Sequence, residues 1–298
     1  MIIFFNEGRL GNQLFQFAFL ETIKRDNEKI IGIGFDELYE VFDVKDENFI
    51  AFHLGKGIQR KILWRLFFKV IRPFLYWLAS NKIISSIEVD YEYFGEYRRE
   101  SNTFKNIQGF LKQIILVKTG FFQREDFFSK DVIKKLKIKD KHVERARNFL
   151  SHIENFYKIA VHIRLSDYRN FYVFGHNPVL PVEYYHRLIK WFLENREKPF
   201  FVFVSDDPDF VEKEFCYLQN KLVSKNDYAT DFAIITLCDA AILSPSSFSW
   251  WGSYMMKKRD IVFAPKYWLG WKVKIDYHKN PLAYYMEPVD ISELEVSK

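Results

Sequence analysis

The second half of the chain alternates short apolar runs with stretches that carry helical spacing. The apolar runs lie at Tyr157 to Ile163, Phe200 to Val204, around Leu222, Ala240 to Leu243, and Ile261 to Ala264. Apolar runs of this length are typical of buried strands. The intervening helices are expected to begin near Pro181, Pro208, Thr230 and Ser249. Five strands that alternate with helices predict a doubly wound, parallel α/β sheet.

Three of these predicted strands end in polar segments. The segments are His162 to Tyr168, Ser205 to Asp207, and Ser244 to Gly252. Ligands of open parallel sheets bind beyond the carboxyl ends of the strands, so we expect the three segments to lie together. Their serines and single arginine suit an anionic ligand.

The N-terminal half begins with an apolar run, Ile2 to Phe5, followed by Gly8 to Gln13 and an apolar helical stretch. This order predicts a strand, a glycine loop and a helix. The glycines would let the backbone approach a ligand at the helix N-terminus, although a tight turn without a ligand is the alternative. We place a domain boundary near residue 155, which divides the chain into residues 1–155 and 156–298.

A basic and apolar segment spans residues 56–79, and no acidic residue occurs between Glu47 and Glu88. Helical spacing places Ile58, Ile62, Leu63, Leu66, Phe67, Val70 and Ile71 on one face and Lys61, Arg65, Lys69 and Arg72 opposite. Two interpretations stay open: a surface helix that packs its apolar face on the core, or a helix that lies flat on an anionic membrane. Pro73 is expected to kink or end this helix.

Composition narrows the class of protein. With 48% hydrophobic residues, the 298-residue chain can bury a substantial core, and a net charge of +5 is too small to indicate nucleic-acid binding. Its two cysteines form no CxxC pair, which suits a reducing compartment. No signal peptide or spanning segment is evident, so we expect a cytoplasmic protein, either soluble or peripheral at the inner face of the membrane.

Arg164 is the first candidate for catalysis, because a guanidinium matches two phosphate oxygens at once. His162, on the same strand, could bond a base or ribose, or could be a core histidine. Ser246, Ser247 and Ser249 stand at a predicted helix start, which suits either a phosphate site or a plain N-cap. Asp231 could accept two hydrogen bonds from a guanine edge, or interact with the helix dipole.

Asp207-Pro208-Asp209 is a D-x-D pair, a weak signal for a divalent metal on a sugar-nucleotide donor. Pro208 and Asp209 also suit the first turn of a helix. No HExxH, GxSxG or spaced His/Cys cluster occurs, which excludes the common zinc and serine-hydrolase patterns.

Taken together, the motifs resemble those of the α-1,2-fucosyltransferases, glycosyltransferase family 11. The matching segments follow the family's order and include Gly8 to Gln16, His162-Ile163-Arg164, Asp167-Tyr168, Tyr184-Tyr185, Ser205 to Asp207, Ser246 to Gly252, and Pro265 to Trp268. The resemblance implies a GT-B fold of two Rossmann-like domains facing a central cleft. It also implies GDP-fucose as donor, inversion at the anomeric carbon, and no metal or other cofactor.

The resemblance further implies roles for individual residues. Arg164 would bind the donor diphosphate, with His162 and Asp231 as nucleoside contacts and Ser246, Ser247 and Phe248 as the phosphate-side loop. Asn12 and Gln13 would face the donor from the N-terminal domain, which would be the acceptor side. Leu165-Ser166 stands where Arg-Gly is common in the family, so one positive charge for the diphosphate is missing.

The sequence therefore predicts an enzyme, a galactoside 2-α-L-fucosyltransferase. It would move L-fucose from GDP-fucose to O2 of a terminal galactose in a glycan. Asp167 is the candidate general base, with His176 and Glu183 behind it. The alternatives are a metal-dependent glycosyltransferase of other specificity and a non-catalytic carbohydrate-binding protein. A nucleic-acid partner is not expected.

Overall fold

The computed structural model describes residues 1–95 and 97–291, which fall into two compact units. The first unit runs from Met1 to Lys137 and the second begins at Ile138. The boundary thus precedes the expected position near residue 155. The cause is a helix over Asp140–Leu150, whose buried His142, Ala146 and Leu150 lie in the second unit.

Among the described residues, six strands of the first unit form one sheet, and two short strands form another, the second of which ends at the first residue of the second unit. The strands are β1 (Ile2–Phe5), β2 (Ile30–Ile33), β3 (Phe42–Val44), β4 (Phe49–Phe52), β5 (Ile84–Phe94), β6 (Tyr97–Ile107), β7 (Leu111–Val117) and β8 (Leu136–Ile138). The large sheet has the order β4-β2-β1-β7-β5-β6, and β3 pairs with β8. All neighbours in the large sheet are parallel except β5 and β6, which form an antiparallel hairpin.

Helices cover this sheet. They are α1 (Leu10–Ile23), α2 (Asp36–Val41), α3 (Gly57–Trp64), a π-helical segment (Arg65–Ile71), α4 (Arg72–Ser80), and 3₁₀ turns at Glu125–Phe127 and Lys130–Lys135. Helix α1 is buried almost all round, and phenylalanine fills much of the space around it. Phe19 stacks on Phe122 with ring centroids 3.9 Å apart. Aromatic side chains bury large apolar areas, so they stabilise this unit strongly.

The second unit contains six parallel strands within its described residues. They are β9 (Tyr157–Ile163), β10 (Pro199–Ser205), β11 (Lys221–Val223), β12 (Ala240–Ile242), β13 (Val262–Pro265) and β14 (Met286–Val289). The helices are α5 (Asp140–Leu150), α6 (Val182–Asn195), α7 (Pro208–Glu214), α8 (Tyr228–Thr236) and α9 (Ser247–Tyr254), with 3₁₀ turns at Ser151–Ile153, Asp167–Asn170 and Trp268–Val273.

The strand order of this sheet, β11-β10-β9-β12-β13-β14, is that of a doubly wound sheet. The chain moves outward from β9 through β10 to β11, and then returns to the other side of β9 with β12. The point where the direction reverses lies between β9 and β12, and ligands of such sheets bind there. The prediction that the three polar segments lie together is confirmed, because β10, β9 and β12 are neighbours.

Two local features of the first unit differ from the predictions. Helix α1 begins at Leu10, so Asn12 and Gln13 lie inside the helix and the glycine loop ends at Arg9. Pro73 does not end the helical run, because α4 follows the π-helical segment without a break and Pro73 is its second residue. The seven residues before α4 adopt π winding, so residues 57–80 form one continuous helical run.

None of the helices in residues 1–95 and 97–291 combines the length and apolar character needed to cross a bilayer.

Candidate active site

Arg164 follows β9 directly and lies beside the point where the strand order reverses. Its Nη2 donates to Asp167 Oδ2 at 2.7 Å, and its Nε lies 3.4 Å from Asp206 Oδ2. Burial lowers the pKa of the guanidinium, but the hydrogen bond to Asp167 and the charge of Asp206 outweigh burial and raise it. Arg164 therefore stays charged and is held from two sides.

Asp206, at the end of β10, organises the loop that follows β9. Its carboxylate accepts hydrogen bonds from Leu165 N–H at 2.9 Å, Ser166 N–H at 3.1 Å and the Ser166 hydroxyl. Burial raises the pKa of Asp206, but these bonds and the charge of Arg164 overcome that effect and lower it. Asp206 thus positions Arg164 without occupying its whole guanidinium.

Asp206→Ala is expected to lower the free energy of unfolding by about 2 kcal/mol at pH 7, because two backbone N–H groups and Arg164 lose their acceptor. Chemical denaturation measures this difference. The folded-state pKa of Asp206 is lowered, so its contribution is present above the unfolded pKa and shrinks as pH falls through the folded value. Asp209→Ala is the matched control, because the Asp209 side chain is 92% exposed. An equal loss in both variants would contradict the organising role.

Two side chains connect the loops after β9 and β12. His162 Nδ1 and Ser244 Oγ are 2.6 Å apart, and Tyr168 donates its hydroxyl to Pro245 C=O at 2.7 Å. Complete burial, together with the charge of Arg164, lowers the pKa of His162 to about 3. His162 is therefore a neutral ring near pH 7, with Nδ1 engaged by Ser244.

The N-terminus of α9 lies at the end of β12. Ser246 is the N-cap residue and makes no side-chain bond to the helix, while Ser247 and Phe248 form its first turn. Ser249 is buried, and its hydroxyl donates to the backbone of Ser244 and Ser246. The N–H groups of a first helical turn point out of the helix end and favour an anion. Ser249 is accordingly structural, whereas Ser246, Ser247 and Phe248 border the open end.

Asp231 lies in the first turn of α8, near the end of β11, and is 8% exposed. It accepts a hydrogen bond from the Ser224 hydroxyl. Burial raises the pKa of Asp231 to about 7, which the Ser224 bond opposes and the nearby charge of Asp227 reinforces. A carboxyl group half-ionised near neutral pH is unusual and is a candidate for ligand contact.

The D-x-D pair is engaged in other contacts. Asp207 caps α7 by accepting from Phe210 N–H at 3.2 Å and also pairs with Arg169 at 3.1 Å. Asp209 lies 3.4 Å from Lys225. In the part of the chain that the structure describes, no group of three or more His, Cys, Asp or Glu residues could hold a metal ion. Independence from metal stays a prediction.

Gln13 and Asn12, the two donor contacts predicted in the first unit, lie in different surroundings. Gln13 is buried, and its amide oxygen accepts from Leu38 N–H at 2.8 Å, so it anchors α2 instead of facing a ligand. Asn12 is half-buried and accepts from Gln123 Nε2 at 2.8 Å. Gly8, with φ of +92°, permits this packing, because a Cβ there would lie 2.1 Å from the Asn12 amide nitrogen. A donor contact from Asn12 stays a prediction.

The three candidates for the general base lie in different surroundings. Asp167 is half-exposed and bonded to Arg164, His176 is exposed in the loop after β9, and Glu183 lies in the first turn of α6. Asp167 is in direct contact with Arg164, at 2.7 Å. Its role as base also stays a prediction.

Sequence reasoning missed the organising role of Asp206 and the link made by Tyr168 and Ser244. All three residues stand inside the polar segments that follow the strands, which is the signal available in the sequence. Their partners lie on other strands, so the contacts themselves could not be predicted. The hydrogen bond between Ser224 and Asp231 had no comparable signal in the sequence.

Sequence comparison finds a matching protein family and a related protein. The family model described as Glycosyl transferase family 11 matches residues 1–280. The O-antigen biosynthesis glycosyltransferase WbnK of Escherichia coli is 31% identical over 121 residues, which cover 39% of this chain and 40% of that protein.

Solved structures resemble the fold. The fucosyltransferase NodZ from Bradyrhizobium has a TM-score of 0.51 at 9% identity, over 87% of this chain and 94% of that one. The NodZ α-1,6-fucosyltransferase co-crystallised with GDP has a TM-score of 0.50 at 10% identity, over 86% and 92% of the two chains. The predicted GT-B fold class is confirmed.

Proposed function

Because this chain belongs to glycosyltransferase family 11, we propose that it is an inverting α-1,2-fucosyltransferase that uses GDP-fucose. One observation carries the proposal. Arg164, neutral His162 and the N-terminus of α9 converge where the strand order of a doubly wound sheet reverses. This arrangement offers a fixed cation and helix N–H groups to a diphosphate, and the second ring nitrogen of His162, Nε2, to a nucleoside.

The two solved NodZ structures support the choice of donor, since both are of a fucosyltransferase and one was co-crystallised with GDP. The acceptor is proposed to be O2 of a terminal galactose, as in the α-1,2-fucosyltransferases that the motifs resemble. The name of WbnK refers to O-antigen biosynthesis, so bacterial surface glycans are the first acceptors to test.

In the proposed reaction the acceptor O2 attacks the anomeric carbon of fucose as the bond from that carbon to the β-phosphate oxygen breaks. The electron pair leaves on GDP, and Arg164 with the α9 N-terminus stabilises the growing negative charge. The donor diphosphate would replace Asp167 on Arg164, while Asp206 continues to hold Nε. The released Asp167 carboxylate would then accept the proton of the acceptor hydroxyl.

Release of GDP from GDP-fucose, measured with and without a β-galactoside, tests the function. We expect release that depends on the galactoside, with a fucosylated product of α-1,2 linkage. Fucose transfer to another position would be consistent with the family assignment but would overturn the proposed α-1,2 linkage. Galactoside binding without GDP release would favour a carbohydrate-binding protein, and activity lost on chelation and restored by a divalent cation would favour the metal-dependent alternative.

Donor affinity is expected to rise about tenfold between pH 6 and pH 8. In the free protein Asp231 has a pKa of about 7, and a guanine edge that donates two hydrogen bonds favours the ionised form. Binding therefore releases a proton, and affinity increases until Asp231 is fully ionised. Calorimetry with GDP-fucose and no acceptor measures this profile, since the donor diphosphate does not titrate in this range.

Two variants test the assignment of that profile to Asp231. Asp231→Asn should bind more weakly and show no pH dependence, because an amide does not ionise. Ser224→Ala should shift the rise to higher pH, because it removes the hydrogen bond that stabilises the carboxylate. A flat profile in the unmodified protein would exclude guanine recognition by Asp231.

A further inference from the structure

The helical run over residues 57–80 has two apolar sides, and the sheet covers only one of them. Phe68 is buried, and Leu63, Phe67 and Ile71 pack against the core cluster that contains Phe5. The uncovered side carries six apolar residues that are between 45% and 76% exposed: Ile58, Ile62, Leu66, Val70, Phe74 and Trp77. We call these six residues the outer apolar column. Single exposed apolar residues are normal, but an aligned set of this length marks an interaction surface.

A four-residue repeat in the sequence produces this column. The repeats are Lys61-Ile62-Leu63-Trp64, Arg65-Leu66-Phe67-Phe68 and Lys69-Val70-Ile71-Arg72. In each repeat the first residue is an exposed cation, the second belongs to the outer apolar column, and the third packs towards the core. The apolar face predicted from the sequence is therefore two columns, of which only one is buried.

The π-helical segment keeps these columns straight. An α-helix has 3.6 residues per turn, so residues four apart drift steadily around its axis. A π turn, with its i to i+5 hydrogen bonds, holds more residues and corrects this drift. The π winding spans Arg65–Ile71, the middle of the repeat. The cations Lys61, Arg65 and Lys69 therefore line one edge of the outer apolar column.

The charge of this face is entirely positive. In the ranges that the structure describes, Lys61 and Arg65 have no ion-pair partner, and no acidic residue occurs between Glu47 and Glu88. Arg72 differs, because it bonds Glu7 at 2.8 Å and is held against its own unit. Lys69 lies 5.4 Å from the Trp64 ring and is exposed.

We propose that this face docks on an anionic lipid surface. The outer apolar column would enter the boundary between headgroups and acyl chains, and the flanking lysines and arginine would contact lipid phosphates. A second copy of this chain fits less well, since a two-fold contact through this column would bring two rows of cations together, and the helical run itself has no acidic residue to pair with them.

Co-sedimentation of the full chain with vesicles tests the proposal. We expect binding to phosphatidylcholine vesicles that contain about one third phosphatidylglycerol, weak binding to phosphatidylcholine alone, and a decrease as salt rises. The triple variant Ile62→Ser, Leu66→Ser, Val70→Ser should bind at least about tenfold more weakly. The triple variant Lys61→Gln, Arg65→Gln, Lys69→Gln should also lose about tenfold or more at low salt and become insensitive to salt.

A matched control removes three exposed lysines of the second unit, through Lys141→Gln, Lys190→Gln and Lys213→Gln. We expect it to bind like the unmodified protein. Because every substituted side chain is exposed, unfolding curves should be unchanged.

Equal binding to neutral and anionic vesicles, or undiminished binding by both test variants, would overturn the proposal. A vesicle-free dimer that the serine variant abolishes would overturn it in favour of self-association. None of these measurements requires a nucleotide sugar, so they are independent of the proposed activity.

Discussion

Arg164→Lys is expected to lower kcat/KM for fucosyl transfer by about 10²- to 10³-fold while the protein still folds. The guanidinium can bond Asp206 through Nε and present its terminal nitrogens to a diphosphate at the same time. A lysine ammonium is a single point of charge and cannot keep both contacts in one plane. Steady-state kinetics with GDP-fucose and a galactoside, together with calorimetric GDP affinity, measure the effect.

Arg169→Lys is the matched control for this variant. Arg169 lies on the same loop, is half-exposed, and pairs with Asp207 instead of Asp206. We expect a change of only a few fold, because surface ion pairs contribute little. Unchanged turnover and donor affinity in Arg164→Lys would show that Arg164 takes no part in donor binding or transfer.

Asp167→Asn is expected to lower kcat by about 10²- to 10⁴-fold without weakening GDP-fucose binding. An asparagine can still accept a hydrogen bond from Arg164, but it cannot take the acceptor proton. It also no longer competes as an anion for the guanidinium, so donor affinity should stay the same or increase. Separate measurement of kcat and of the donor dissociation constant distinguishes these effects.

His176→Gln and Glu183→Gln serve as comparisons, because these residues are the other candidates for the base. A large loss of kcat in one of these variants, with kcat of Asp167→Asn near normal, would identify that residue as the general base instead of Asp167. Weaker donor binding with unchanged kcat in Asp167→Asn would instead make Asp167 a structural partner of Arg164.

The sequence predicted most elements of the second unit, because buried parallel strands are almost wholly apolar and their helices begin with recognisable residues. It missed β14, a four-residue edge strand that contains Pro288. Proline cannot donate to a sheet and is tolerated at such edges, so the usual strand signal is weak there. In the first unit the pattern did not indicate the β5–β6 hairpin, whose strands are polar over much of their length.

The site was predictable to a similar degree. The position of Arg164 after a strand and of Ser246 at a helix start follow from local pattern, and parallel strands bring such positions to one edge. The role of Asp206 does not follow from local pattern, because its hydrogen bond with Leu165 joins residues that are 41 positions apart. The burial of Gln13 likewise depends on α2, which approaches α1 only in the folded unit.

By itself, the sequence determined the α/β class, the strand ends that carry the polar groups, and the four-residue repeat over residues 61–72. These features depend on hydrophobic spacing and on neighbouring residues, which act along the chain. Only the tertiary structure decided the order of the strands, the carboxylate that holds Arg164, and the apolar column that stays uncovered. Each of these depends on which distant segments pack together and exclude water. Hydrophobic burial is non-directional, so the local sequence does not specify which segments those are.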